Sequence, residues 1–163
     1  MTSSEERAWT CLEEVKDPEI PVVSVVDMGI VRKVSWSDGG LIVQITPTYS
    51  GCPAMQVIEN DIVEALTRDG FDGVRVETVL SPAWTTDWMS EQGRRNLKEY
   101  GIAPPRKTCA STRSPFAEPD MAQPCPFCDS AQTELRSMFG STACKALYYC
   151  DGCHQPFESF KCI

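Results

Sequence analysis

The chain has 163 residues, 42% hydrophobic and 23% charged, with 15 basic against 23 acidic side chains and a net charge of −8. That length exceeds one small module and falls short of two full-sized domains, and no apolar run approaches the roughly 20 residues of a membrane helix. The negative balance argues against free nucleic acid or an anionic membrane as partner, because attraction to phosphate needs clustered Lys and Arg.

The first residues, Met1 to Thr10, are polar and acidic. They resemble neither a secretory signal nor a basic transit segment, so the sequence predicts a cytoplasmic protein. Ser3 and Glu6 have the spacing of a capping box, and the helix they open would carry Ala8, Leu12 and Val15 on one face and stop by Asp17-Pro18. An extended stretch from Ile20 to Val23 is expected next. Strands over 30–36 and 41–46 flank Ser37-Asp38-Gly39-Gly40, a hairpin signal. Leu41, Val43 and Ile45 share a face of the second strand, whereas the first alternates poorly.

Met55, Ile58, Ile62 and Leu66 recur at helical spacing, closed by Asp69-Gly70. Val74, Val76 and Thr78 alternate with Arg75 and Glu77 as a third strand. A last helix is predicted from Trp88 to Tyr100, weakened by Gly93 and stopped by Gly101 and Pro104-Pro105. The order α-β-β-α-β-α predicts an α+β fold, a small sandwich over 1–101 with helices on one sheet face. Residues 102–122 read as a linker, rich in Pro, Ser, Thr and Ala, and 123–163 as a separate zinc-ribbon-like module with a four-cysteine site. The charge divides likewise: residues 1–100 hold 17 acidic and 9 basic side chains, 101–120 carry +1 and 121–163 carry −1.

Six of the nine cysteines, Cys125, Cys128, Cys144, Cys150, Cys153 and Cys162, crowd that last module. The odd total and the absence of an export signal disfavour a disulfide framework. A segment so short buries little core, so a metal is the expected brace. Cys125-Pro-Phe-Cys128 and Cys150-Asp-Gly-Cys153 are two knuckles, each a tight turn that aims two thiolates at one point; together they supply the tetrahedral sulfur set of Zn²⁺. The competing readings are an iron–sulfur cluster, a redox dithiol and unligated thiols. His154, the single histidine, reads as a solvated loop residue or a substitute ligand. Cys144 and Cys162 read as buried apolar residues, reserve ligands or redox thiols.

Cys52, in Gly51-Cys52-Pro53, stands just before a predicted helix, whose N-terminal amides would lower its pKa. Thr48, Tyr49 and Ser50 offer hydroxyls nearby. Asp17, Glu19 and Asp27 could approach the same loop, or serve only as turn and cap residues. Cys11 and Cys109 carry no motif. Trp84 and Trp88 bracket a polar loop and read as docking anchors or as core. No Ser-His-Asp set, Gly-rich phosphate loop or paired-carboxylate motif is present, so an autonomous hydrolase or kinase is not expected.

Asp17-Pro18-Glu19-Ile20-Pro21, then 26–31 (Val26 to Val31) and 46–53 (Thr46 to Pro53), resemble the metal–sulfur cluster assembly domain family. The segments 82–90 (Pro82 to Ser90), 101–105, 139–148 and 157–163 resemble the D-subunit (in some bacteria J-subunit) family of the bacterial 1,2-phenylacetyl-CoA epoxidase system. That resemblance covers nearly the whole chain. It implies an accessory, non-catalytic subunit in aerobic phenylacetate catabolism. Such a subunit would assist iron–sulfur or di-iron centre maturation in the reductase or oxygenase components, which are then its partners. It also implies that Asp17, Glu19, Thr48 and Cys52 form the functional region. One cysteine with hydroxyls offers too few ligands to keep a cluster, so a transient or partner-shared site is expected. A structural subunit of the oxygenase complex and an iron–sulfur electron carrier are the alternatives.

Overall fold

The computed structural model describes residues 3–106 and 115–163. Cys109 and the middle of the segment read as a linker lie outside the described residues. The chain divides into two units, Met1–Trp84 with Trp88–Gly93 and Thr85–Asp87 with Arg94–Ile163.

In the first unit, α1 (Ser4–Glu13) opens with the expected capping box: Glu6 N–H donates to Ser3 Oγ at 3.2 Å, and Ser3 N–H to the Glu6 carboxylate at 3.0 Å. Ala8, Leu12 and Val15 are buried as predicted. The stretch 20–23 is not extended. Asp17 Oδ1 accepts the amides of Glu19 at 2.8 Å and Ile20 at 3.0 Å, and the chain continues through turns. A short carboxylate that captures the amides just after it diverts the backbone from a strand.

β1 (Val31–Ser37) and β2 (Gly40–Ile45) form the antiparallel hairpin, with a bulge between Val31 and Lys33. The extra residue turns both Val31 and Val34 inward, which explains why the strand alternates poorly. Leu41, Val43 and Ile45 of β2 are buried on one face. α2 (Met55–Arg68) buries Ile58, Ile62, Ala65 and Leu66. β3 (Arg75–Thr78) then pairs with β2 in parallel, so the sheet order is β1-β2-β3. α1 packs on β1 and α2, and α2 packs on β3.

The two indoles are used inside this unit rather than held out for docking. Trp84 is buried, and its Nε1–H donates to the Met28 carbonyl at 2.9 Å. The Arg32 guanidinium lies 3.6 Å from the centre of the Trp88 ring, a cation–π contact. Gly29, at φ +72°, lets the Trp88 backbone approach; a Cβ there would lie 2.7 Å from Trp88 O. The predicted helix from Trp88 is interrupted: a 3₁₀ turn at Thr86–Trp88 precedes α3 (Glu91–Tyr100). Ser90 caps α3 by accepting Gly93 N–H at 2.9 Å. Gly93 is there for closeness, since a Cβ would lie 3.1 Å from that of Asp27. The boundary between the units falls inside α3.

The second unit is a four-stranded sheet in the order β4-β7-β6-β5, from β4 (Ile102–Ala103), β5 (Thr133–Ser137), β6 (Lys145–Cys150) and β7 (Gln155–Phe160). β6 ends at Cys150, and β7 returns from the turn that follows it. Ile102 and Ala103, assigned by composition to a linker, pair in parallel with Glu158 and Ser159. Among the described residues, one hydrophobic cluster of this unit gathers Ala103, Cys125, Ala146, Tyr148, Cys150 and Phe157. Tyr148 and Phe157 stack at 5.6 Å between ring centres. Cys144 is buried, with its sulfur 3.1 Å from Thr142 Oγ1, and Cys162 is disulfide-bonded, so at that position the expectation of reduced thiols fails. Among the described residues no helix is long and apolar enough to cross a membrane.

Replacing Trp84 by Phe removes the donor from a buried carbonyl, so the first unit should lose about 1–3 kcal/mol of stability. Chemical denaturation followed by fluorescence measures the loss; an unchanged midpoint would show that water satisfies Met28.

Candidate metal centre and thiol site

Cys125 and Cys128 leave a turn before β5, Cys150 ends β6, and Cys153 sits in the turn into β7. Their sulfurs all lie within 4.8 Å of one another. Cys125 Sγ is 3.7 Å from Cys153 Sγ, and Cys128 Sγ is 3.6 Å from Cys150 Sγ. Four bonds of about 2.3 Å from one tetrahedral zinc span edges of about 3.8 Å, so the donor set fits a single ion. A cluster would interpose several irons and sulfides and push the thiolates further apart.

The local electrostatics suit a cation. At Cys150 burial opposes ionisation, but amide donation from Cys153 and Gly152 and hydrogen bonds from the sulfurs of Cys128 and Cys125 outweigh it and bring the thiol down to about 7. Burial and the three neighbouring sulfurs push Cys153 up to about 12. The Cys150 anion thus forms readily, while Cys128 and Cys153 hold their protons until a cation displaces them. His154 is exposed, at φ 58°, and is not among the clustered ligands. Sequence reasoning does not find the amides of Ser130, Gly152 and Gln155 that donate to the sulfurs. The turn-forming Asp129-Ser130 step after the first knuckle and the Asp151-Gly152 step inside the second are the available signal.

In the first unit the loop after β2 carries Thr48 and Cys52. Cys52 N–H donates to Tyr49 O at 3.3 Å, and Met55 N–H to Cys52 O at 3.3 Å, so the thiol stands one turn ahead of α2. Burial raises the Cys52 pKa above its ordinary 9.0; hydrogen bonds with the Ala54 amide and the Thr48 side chain lower it, and the charges of Glu19 and Asp17 raise it further. Three residues singled out from sequence, Asp17, Glu19 and Thr48, therefore all act on the thiol of the fourth, Cys52. The direction is the reverse of the expected lowering, because burial and the two carboxylates outweigh the amide at the helix start. Asp27 is held elsewhere: its carboxylate accepts from Ser90 Oγ at 2.6 Å and Ser24 Oγ at 3.1 Å.

Two family models match the chain: the iron–sulfur cluster assembly protein family over residues 5–81 and the PaaD zinc β-ribbon domain over residues 108–161. An Escherichia coli (strain K12) protein described as a "Putative 1,2-phenylacetyl-CoA epoxidase" D subunit is 49% identical over 155 residues, 95% of this chain and 91% of that protein. A Porphyromonas gingivalis (strain ATCC BAA-308 / W83) Fe-S protein maturation auxiliary factor is 35% identical over 96 residues, covering 58% of this chain and 90% of the relative. The crystal structure of a Domain of Unknown Function DUF59 from Bacillus anthracis aligns with a TM-score of 0.53 at 28% identity, over 57% of this chain and 90% of that one. The fold and site thus define a protein that joins an iron–sulfur assembly domain to a zinc β-ribbon. The chain belongs to the family of 1,2-phenylacetyl-CoA epoxidase D subunits.

Removing the charge of Glu19 should free the Cys52 thiol to ionise at lower pH. In Glu19→Gln the midpoint of the alkylation-rate profile at Cys52 should move down from a value above 9.0, and labelling at a fixed pH below it should speed up. Peptide mass mapping follows it; an unmoved midpoint would place the carboxylate out of electrostatic range.

Proposed function

We propose that this protein is an accessory, non-catalytic maturation factor of a phenylacetyl-CoA epoxidase system. Cys52 briefly ligates iron or an iron–sulfur unit on its way to a reductase or oxygenase component. The observation that carries this reading is the half-buried Cys52 thiol, hydrogen-bonded with Thr48 and within the field of Asp17 and Glu19. A cation entering that field is attracted by both carboxylates and displaces the thiol proton, which the surroundings otherwise retain. One sulfur with carboxylate neighbours holds metal loosely enough to release it, which suits transfer rather than storage. The relatives described as Fe-S maturation factors support the same reading.

Cys125, Cys128, Cys150 and Cys153 would hold zinc, which supplies rigidity to the ribbon and no step of the transfer. The ribbon then serves as a platform for the client component. The system is placed in the cytoplasm.

Two measurements test the proposal. In cells lacking the native protein, Cys52→Ser should fold normally yet leave the iron and acid-labile sulfide of the epoxidase components at the level found without the protein; normal occupancy would overturn the role of Cys52. A strong chelator applied to the purified chain should collapse the amide dispersion of the ribbon while that of the assembly unit persists. A ribbon that stays folded without metal would remove its brace.

A further inference from the structure

Between α1 and α2 lies a cavity of about 490 Å³, within the range of small-molecule pockets. Thr10, Cys11 and Glu14 of the α1 side face Ala65 and Arg68 of α2 across it. A neighbouring hollow of about 290 Å³ shares Glu14, Ala65 and Arg68. Ala65, itself nearly buried, lines both spaces and contributes an apolar wall to each.

The charges around the cavity sort into a spent pair and an unspent pair. Arg7 donates to Asp69 at both its carbonyl, at 3.0 Å, and its carboxylate, at 3.1 Å, and also lies over the Phe71 ring. Arg68 and Glu14 have no ion pair with each other or with any other described residue. Burial raises the Cys11 pKa and the charge of Asp69 adds to it, while Arg68 lowers and Glu14 raises it, so that thiol lies within reach of all three charges. One cation and one anion, separated by more than a salt-bridge distance across an open space with an apolar floor, complement a molecule carrying both charges.

We propose that this groove binds a free α-amino acid, with its carboxylate on Arg68, its ammonium on Glu14 and its side chain over Ala65 toward Cys11. Charge-assisted hydrogen bonds at both ends give the site its selectivity, and the apolar floor sets which side chains fit. The groove shares no lining residue with the Asp17, Glu19, Thr48 and Cys52 group and is independent of the metal-transfer reading.

L-Methionine is the probe, and Cys11 is the reporter. In the full, zinc-loaded chain, L-methionine should slow alkylation of Cys11 by N-ethylmaleimide, read by peptide mass mapping, and shift the backbone amides of α1 and α2. L-Methioninamide lacks the carboxylate and N-acetyl-L-methionine lacks the ammonium; each should protect less. Arg68→Gln and Glu14→Gln, both exposed and helix-compatible changes, should each weaken protection about tenfold, the worth of one charge-assisted contact. Cys52→Ser should change nothing here. Equal protection by all three compounds, no protection at millimolar methionine, or indifference to both substitutions would each overturn the assignment.

Discussion

Four sulfur atoms must meet within the edge of one tetrahedron, and the second unit is organised around that demand. The hydrophobic cluster beside them includes two of the four clustered cysteines, Cys125 and Cys150. A module this short gains little from apolar burial alone against the conformational entropy of ordering its strands. The knuckle thiols are therefore both wall and fastener. Amides within and just after the knuckles point at the sulfurs, so the turns that position the thiols also favour their anions.

The first unit solves a different problem. Its sheet and helices bury enough aliphatic surface to stand without a metal, with Leu12, Val23, Ile45, Ile62 and Leu66 all fully covered. That stability lets the loop after β2 hold a thiol in an unfavourable setting. Burial and two carboxylates keep Cys52 protonated, while Thr48 and the Ala54 amide partly relieve it. A rigid scaffold that holds a reluctant thiol beside acidic groups favours capture of a cation over attack on an electrophile.

Local rules are readable in the sequence wherever they act alone. The capping box at Ser3 and Glu6, the spacing of Ile58, Ile62 and Leu66, and the two cysteine knuckles each follow from neighbours within one turn. The failures share a cause: a distant partner decides the outcome. Trp84 has the look of an anchor for a partner, yet Met28, far off in sequence, supplies an acceptor for its indole. A helix start alone would acidify Cys52, and carboxylates from the Asp17–Glu19 turn help to reverse the sign. β4 is two residues long and β5 carries one aliphatic side chain, so neither leaves a periodic trace.

The bulge in β1 also bears on how the sheet ends. β1 is a border strand of its sheet, the position at which a strand from another molecule could add. The bulge twists that border where Arg32 and Lys33 are exposed, so an incoming strand would meet misaligned hydrogen-bonding groups and two adjacent cations. At the opposite border β3 is four residues long and bears Arg75 and Glu77. Both flanks of this three-stranded sheet thus disfavour edge-to-edge pairing with another molecule.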